Sequence, residues 1–210
     1  MSVAIVFYIL DFAGIFFFAA TGGILSARKQ LDPFGAAVIG AVTGMGGGTV
    51  RDIVLGRLPV YWVESPEYLA IAVAGGIIGY YGSEVVRGEV GARRVAMVWA
   101  DAIGLSVFCV IGAQAGLSVG AHWSIAILTG VMSAAFGGLL RDVILNDVPL
   151  ILRAEIYALA ALFGAALYVL TVSLGLGEGI AAIAGALGAF VIRGCAIRFG
   201  WSIPAIGKLD

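Results

Sequence analysis

The sequence predicts an all-α membrane protein of seven transmembrane helices, two inverted three-helix repeats followed by a seventh helix. Three observations carry that prediction. The composition is 61% hydrophobic and 12% charged, with a mean hydropathy of +1.08, far from the roughly 25% charged residues of soluble domains. The apolar residues fall in stretches of about 20, the length that crosses a bilayer core. The chain also matches itself when displaced by 90 residues, as Asp11/Asp101 and Arg51/Arg141 illustrate.

The first helix is expected over 3–27, retained because no basic leader precedes it. Asp11, Gly14, Phe18 and Gly22 are spaced by three or four residues and share one face. The second, 34–56, opens at Asp32-Pro33, a cap followed by a first-turn proline. It carries Gly40, Gly44, Gly47 and Arg51 on one face. The third, 67–86, opens at Ser65-Pro66 in the same way. Glu84, Arg87, Glu89, Arg93 and Arg94 form a solvated linker, with Arg93 and Arg94 placed to touch anionic lipid.

The fourth helix, 95–116, repeats the first with Asp101, Gly104, Phe108 and Gly112. The fifth, 121–145, answers the second with Gly130, Ala134, Gly137 and Arg141. His122 and Trp123 at its start, like Tyr61 and Trp62, read as interfacial anchors. The sixth and seventh are expected over 154–174 and 178–198. All five prolines, at 33, 59, 66, 149 and 204, lie at or beyond helix ends, where a missing N–H costs least. Cys109 and Cys195 lie in apolar runs and read as buried thiols.

The whole of 1–210 is therefore one transmembrane domain, with repeat 1 over about 3–86 and repeat 2 over about 93–174. Three spans per repeat is an odd number, so the second copy enters the bilayer upside down. Inverted repeats are an architecture of transport proteins, with the path at the repeat interface. Loop lysines and arginines give the orientation: Arg28, Lys29, Arg87, Arg93, Arg94, Arg153, Arg193, Arg198 and Lys208 fall on one side and Arg57 on the other. That bias predicts an outside N-terminus and a cytoplasmic C-terminus.

The candidate site follows from what a membrane helix resists. Gly46, Gly47 and Gly48 invite a kink or break in the second helix, and Gly137 and Gly138 do so in the fifth. Thr43 and Ser133, one turn earlier, offer hydroxyls to a passing ion or back-bond to their own helix. Arg51 and Asp52, repeated as Arg141 and Asp142, are costly at membrane depth unless paired or facing water. Counting from Phe34 places Arg51 about 25 Å along its helix, toward the outside, and Arg141 in the inverted copy toward the inside. Each repeat is expected to hold a polar cluster, Asp11 with Arg51 and Asp52, and Asp101 with Arg141 and Asp142. Two charged vestibules would then flank a narrow hydrated path; the competing reading is two closed ion-pair clusters that tie helices together. No P-loop, triad spacing or metal-ligand cluster is present in the sequence, so neither an enzyme, a metal site, a cofactor nor a nucleic-acid partner is expected.

Gly-Gly-Gly-Thr-Val-Arg-Asp at 46–52 and Phe-Gly-Gly-Leu-Leu-Arg-Asp at 136–142, within this doubled architecture, closely resemble the prokaryotic trimeric intracellular cation (TRIC) channels. Sequences of that family overlap those labelled glycine transporters. The resemblance implies a homotrimer in a prokaryotic plasma membrane. Each protomer would have its own pore around the kinked second and fifth helices, conducting potassium or sodium, with lipid as a further partner. It also implies that the glycines are kink sites and the Arg-Asp pairs polar residues beside the pore. Phe136 stands where the first copy has Gly46, so the two helices are not expected to bend identically. The alternative is a secondary transporter of a small solute such as glycine.

Overall fold

The computed structural model describes residues 3–85, 91–153 and 155–202. Val86, Arg87, Glu89, Ala154, Pro204 and Lys208, which enter the expectations above, lie outside the described residues. The described chain folds as α1 Val3–Arg28, α2 Pro33–Val54, α3 Tyr61–Glu64, α4 Glu67–Val85, α5 Ala92–Ser118, α6 Trp123–Ile144, α7 Ala158–Ser173 and α8 Glu178–Phe199, with a 3-10 turn at Leu150–Leu152. Asp32 caps α2 as its sequence position predicts, its carboxylate accepting from the Gly35 N–H at 2.7 Å. His122 is also a cap: its Nδ1 lies 2.8 Å from Ser124 Oγ and accepts from the Ser124 N–H.

Among the described residues, five helices are long and apolar enough to cross a membrane: α1, α2, α5, α6 and α8. The other two of comparable size fall short for different reasons. α7 has 16 residues, about 24 Å at 1.5 Å per residue. α4 has 19, but its apolar run is diluted by Glu67, Glu84, Tyr80 and Tyr81. The four-residue α3 was not anticipated, because four residues are too few to show periodicity.

The buried centre is built by α1 and α5, whose small and aromatic residues lie against most of the other helices. Large apolar side chains such as Phe34, Ile78, Ile183 and Leu187 are exposed outward, as lipid-facing positions require. Contacts across the centre reciprocate under the 90-residue displacement. A Cβ on Gly47 would collide with the carbonyl oxygen of Ser133, and one on Gly137 with that of Thr43. Gly14 packs on Phe108 and Gly104 on Phe18, and the two phenyl rings meet with centroids 5.3 Å apart.

The ends also pair. Arg28 and Lys29, finishing α1, form ion pairs with Asp147, just beyond α6, and Lys29 Nζ reaches Oδ1 at 2.8 Å. Arg28 and Asp147 border a small cavity, shared with Asp142 and with Arg94 near the start of α5. At the opposite end, Asp11 of α1, Arg51 of α2, Gln114 of α5 and Glu178 of α8 line one larger cavity.

Candidate functional site

The two Arg-Asp pairs are built alike. Arg51 Nε donates to Asp52 Oδ1 at 2.9 Å, and Arg141 Nε to Asp142 Oδ1 at 2.8 Å. Each aspartate spends its second oxygen on a backbone N–H of the following segment, Tyr61 at 3.2 Å and Leu150 at 3.1 Å. The carboxylate thus fastens the chain emerging from its helix, while the guanidinium turns back into the protein.

Beyond that common frame the clusters diverge. Arg51, 4% exposed, borders a cavity of about 500 Å³ whose walls include Tyr8, Asp11, Arg57, Tyr61 and Glu178. Its Cζ lies 5.5 Å from the centroid of the Tyr61 ring. Asp11 shares the cavity with Arg51, but among the described residues no ion pair joins them. Tyr61 also packs on Tyr68, centroids 4.8 Å apart, and the Trp62 indole donates to Thr49 Oγ1 at 3.0 Å. Both aromatics therefore face inward as wall and brace, rather than standing as free interfacial anchors.

Arg141 is 0% exposed. Its Nη1 donates to Asp101 Oδ1 at 3.0 Å and to Thr21 Oγ1 at 2.6 Å. The expected partners Asp101, Arg141 and Asp142 are thus brought together: Asp101 and Arg141 are enclosed in protein, while Asp142 borders a small cavity of about 90 Å³ with Arg28, Arg94, Asp147 and Arg153. The difference also involves α8. That helix packs on α5 and α7 and carries Arg193, which is 1% exposed, pairs with Glu155 at 2.8 Å and lies 5.2 Å from the Tyr157 ring. Arg193 and Glu155 in turn border a further cavity of about 270 Å³ together with Arg94. Arg193, counted above with the loop charges, belongs instead to the interior of α8.

The glycines lie in unbroken α-helix: hydrogen bonding runs through 46–48 and 137–138 without a gap. Gly47 and Gly137 are where α2 and α6 touch. Gly46 faces Leu140, Gly48 lies under the Tyr61 ring, and Gly138 faces the Tyr157 hydroxyl. Thr43 back-bonds to the Ile39 carbonyl at 2.6 Å. Ser133 Oγ is buried without a hydrogen-bond partner among the described residues. Cys109 is buried, but Cys195 is only partly so. Among the described residues no group of three or more His, Cys, Asp or Glu is placed to hold a metal ion.

Sequence reading missed Tyr61, Tyr157, Thr21 and Arg193. Tyr61 lies nine residues after Asp52 and Tyr157 fifteen after Asp142, so the displacement that aligned the helices could not pair them.

The sequence model of the family described as "Glycine transporter" matches residues 8–84 and again 98–173, two matches whose starts are 90 residues apart (98 − 8). The UPF0126 inner membrane protein YadS of Escherichia coli K12 is 36% identical over 202 residues, covering 94% of each chain. The TRIC trimeric intracellular cation channel orthologue from Rhodobacter sphaeroides superposes with a TM-score of 0.88 at 41% identity, over 93% of this chain and 99% of that one. A TRIC cation channel solved for the structural basis of its conductance superposes with 0.85 at 31% identity, over 98% of each.

Proposed function

We propose, from the premise that this chain belongs to the prokaryotic TRIC channel family, whose sequences are also described as glycine transporters, that it is a monovalent cation channel passing chiefly potassium. It is a multi-pass inner-membrane protein, as its E. coli relative is named. Like the trimeric channel it resembles, it assembles as a homotrimer, with one path in each protomer.

The path we assign runs between two inverted repeats. The 90-residue self-match, the doubled family match and the meeting of the α1 and α6 C-terminal ends through Arg28, Lys29 and Asp147 support that arrangement. In it α1, α2, α4 and α5, α6, α7 cross the bilayer in opposite senses, and α8 is the addition. The Asp11–Arg51 end is outermost and the Asp147 end cytoplasmic.

The observation that carries the reading is the outer cavity. Asp11 and Glu178 border it, and its wall residues Asp11 and Ile111 lie on the same two helices as the buried Phe18–Phe108 pair. Phe18 is seven residues along α1 from Asp11, about 10 Å, and Thr21, the partner of Arg141, is one turn further. A cation entering from outside meets negative walls, then an apolar constriction that excludes water when closed, then the Arg141 network and the cytoplasmic ion pairs.

Gly46–Gly48 and Gly137–Gly138 let α2 and α6 meet while the path is closed and bend apart when it opens. Thr43 and Ser133 lie at that crossing, and bound lipid flanks the bundle. The conformation described is then the closed one. A carrier of glycine is the poorer reading, because the solved neighbours are channels.

The test is potassium efflux from proteoliposomes, run beside uptake of labelled glycine. Efflux that slows severalfold in Asp11→Asn at low ionic strength and recovers in high salt supports the path. Efflux indifferent to Asp11, or saturable glycine uptake without efflux, overturns it.

A further inference from the structure

The outer cavity poses a question of sign. Its walls carry two carboxylates, Asp11 and Glu178, and two guanidinium groups, Arg51 and Arg57, so formal charge alone gives a cation no reason to enter. The four charges are not equally available. Asp11 and Glu178 form no ion pair among the described residues. Arg51 and Arg57 both lean on Asp52, at 2.9 and 3.9 Å, and Asp52 stands outside this cavity wall.

Arg51 is held back a second time. Its guanidinium carbon lies 5.5 Å from the Tyr61 ring centroid, within the range at which the ring quadrupole attracts a cation. Tyr61 is built into that place. Its N–H is fixed to Asp52 at 3.2 Å, and its ring rests on Gly48, where a Cβ would come within 2.7 Å of Cε1. Its hydroxyl is buried without a hydrogen-bond partner among the described residues. The position therefore uses the ring and not the phenol.

We propose that Tyr61 sets the charge preference of the vestibule: its ring, seated on Gly48, holds the Arg51 guanidinium toward Asp52 and away from the path, so that Asp11 and Glu178 dominate the field a permeating ion meets. Tyr61 is a positioning residue that acts through Arg51. This inference rests on the cation-channel reading above and says which residue gives that channel its sign. It also accounts for a glycine at 48, since any larger residue would displace the ring.

The experiment is the reversal potential in a potassium chloride gradient across a planar bilayer, measured on the full-length protein. Wild type comes first: without unitary current the channel reading falls, and this inference with it. Given wild-type current, Tyr61→Phe keeps the wild-type ratio of potassium to chloride permeability. Tyr61→Leu lowers that ratio about threefold or more at low salt, and the difference shrinks at high salt as the freed charge is screened.

Folding is checked by elution profile and thermal unfolding. If Tyr61→Leu does not fold, Arg51→Lys decides. A lysine keeps the charge, but its compact, strongly hydrated ammonium is held less firmly at the ring face and cannot fork or stack as a guanidinium does, so it lowers the ratio in the same direction. Where both variants fold, the double substitution shifts the ratio no further than the larger single one, as expected for partners in one interaction. A wild-type ratio in folded Tyr61→Leu or Arg51→Lys, or a Tyr61→Phe that behaves like Tyr61→Leu, overturns the inference and leaves the channel reading standing.

Discussion

Arg51 and Arg141 have the same neighbours in sequence and opposite surroundings in space. Arg141 satisfies two buried aspartates at once, so removing it leaves Asp101 and Asp142 as uncompensated charges inside protein. Arg141→Gln is expected to destabilise the protein by about 3–5 kcal/mol, the usual cost of breaking a buried pair from one side. Arg51→Gln should cost less, because Asp52 keeps Arg57 at 3.9 Å and borders a separate cavity of about 320 Å³ from which water can solvate it. Thermal unfolding in detergent checks the ranking; equal losses would mean that the outer cluster is as dry as the inner one. At this scale the Arg-Asp doublets were legible because charge is rare in an apolar chain. Arg193 was not: it falls within the expected seventh helix but in its last turns, and its burial depends on Glu155 and Tyr157 from the segment before α7, which spacing along α8 cannot show. The asymmetry also involves α8, which brings Glu178 to the first cavity and Arg193 to Tyr157 and which the 90-residue displacement does not match to another helix.

Helices α2 and α6 touch through Gly47 and Gly137, and here the close approach, more than flexibility, requires glycine. Gly47→Ala and Gly137→Ala each push a methyl into a backbone carbonyl of the other helix, and each should destabilise by about 1–3 kcal/mol as overpacking does. Gly46→Ala, which meets the tip of the Leu140 side chain, should be milder; equal effects at 46 and 47 in thermal unfolding would contradict the crossing. The glycine runs were readable from sequence as exceptional, but a run of glycines predicts a loosened helix and a tight crossing equally well. Asp147 ties α1 to the end of α6. Partial burial pushes its carboxyl up, but the Lys29 hydrogen bond and the charges of Arg28, Lys29 and Arg153 outweigh that and hold its pKa below the ordinary carboxylate value. A depressed pKa stabilises above the unfolded value, about 3.9, and the contribution is lost as pH falls through the folded one. The melting difference between wild type and Asp147→Asn should therefore be small and steady from neutral pH down to about 5, as for other largely solvated pairs, shrink below about 4, and vanish only once the pH is below the depressed folded value. A difference that grew on acidification would contradict the clamp.

For the whole molecule, the duplication was the most legible feature, because aligned aspartates and Arg-Asp pairs do not arise by chance in an apolar sequence. The structure adds that the equivalents meet each other: the Phe18 and Phe108 rings touch at a 44° tilt, and the Gly47 and Gly137 contacts are reciprocal. Such self-pairing is what a two-fold relation between copies requires, and the apolar constriction we propose would lie where the copies converge. Phe18→Ala should therefore raise the probability that the channel is open, with unitary conductance little changed. A fall in conductance with unchanged gating would place the constriction elsewhere. The account as a whole is tested most directly by recording the purified protein in a planar bilayer under a potassium chloride gradient. Discrete unitary currents that reverse close to the potassium equilibrium potential are predicted. A silent bilayer containing folded protein, or currents that reverse near the chloride potential, would contradict a cation path between the two copies.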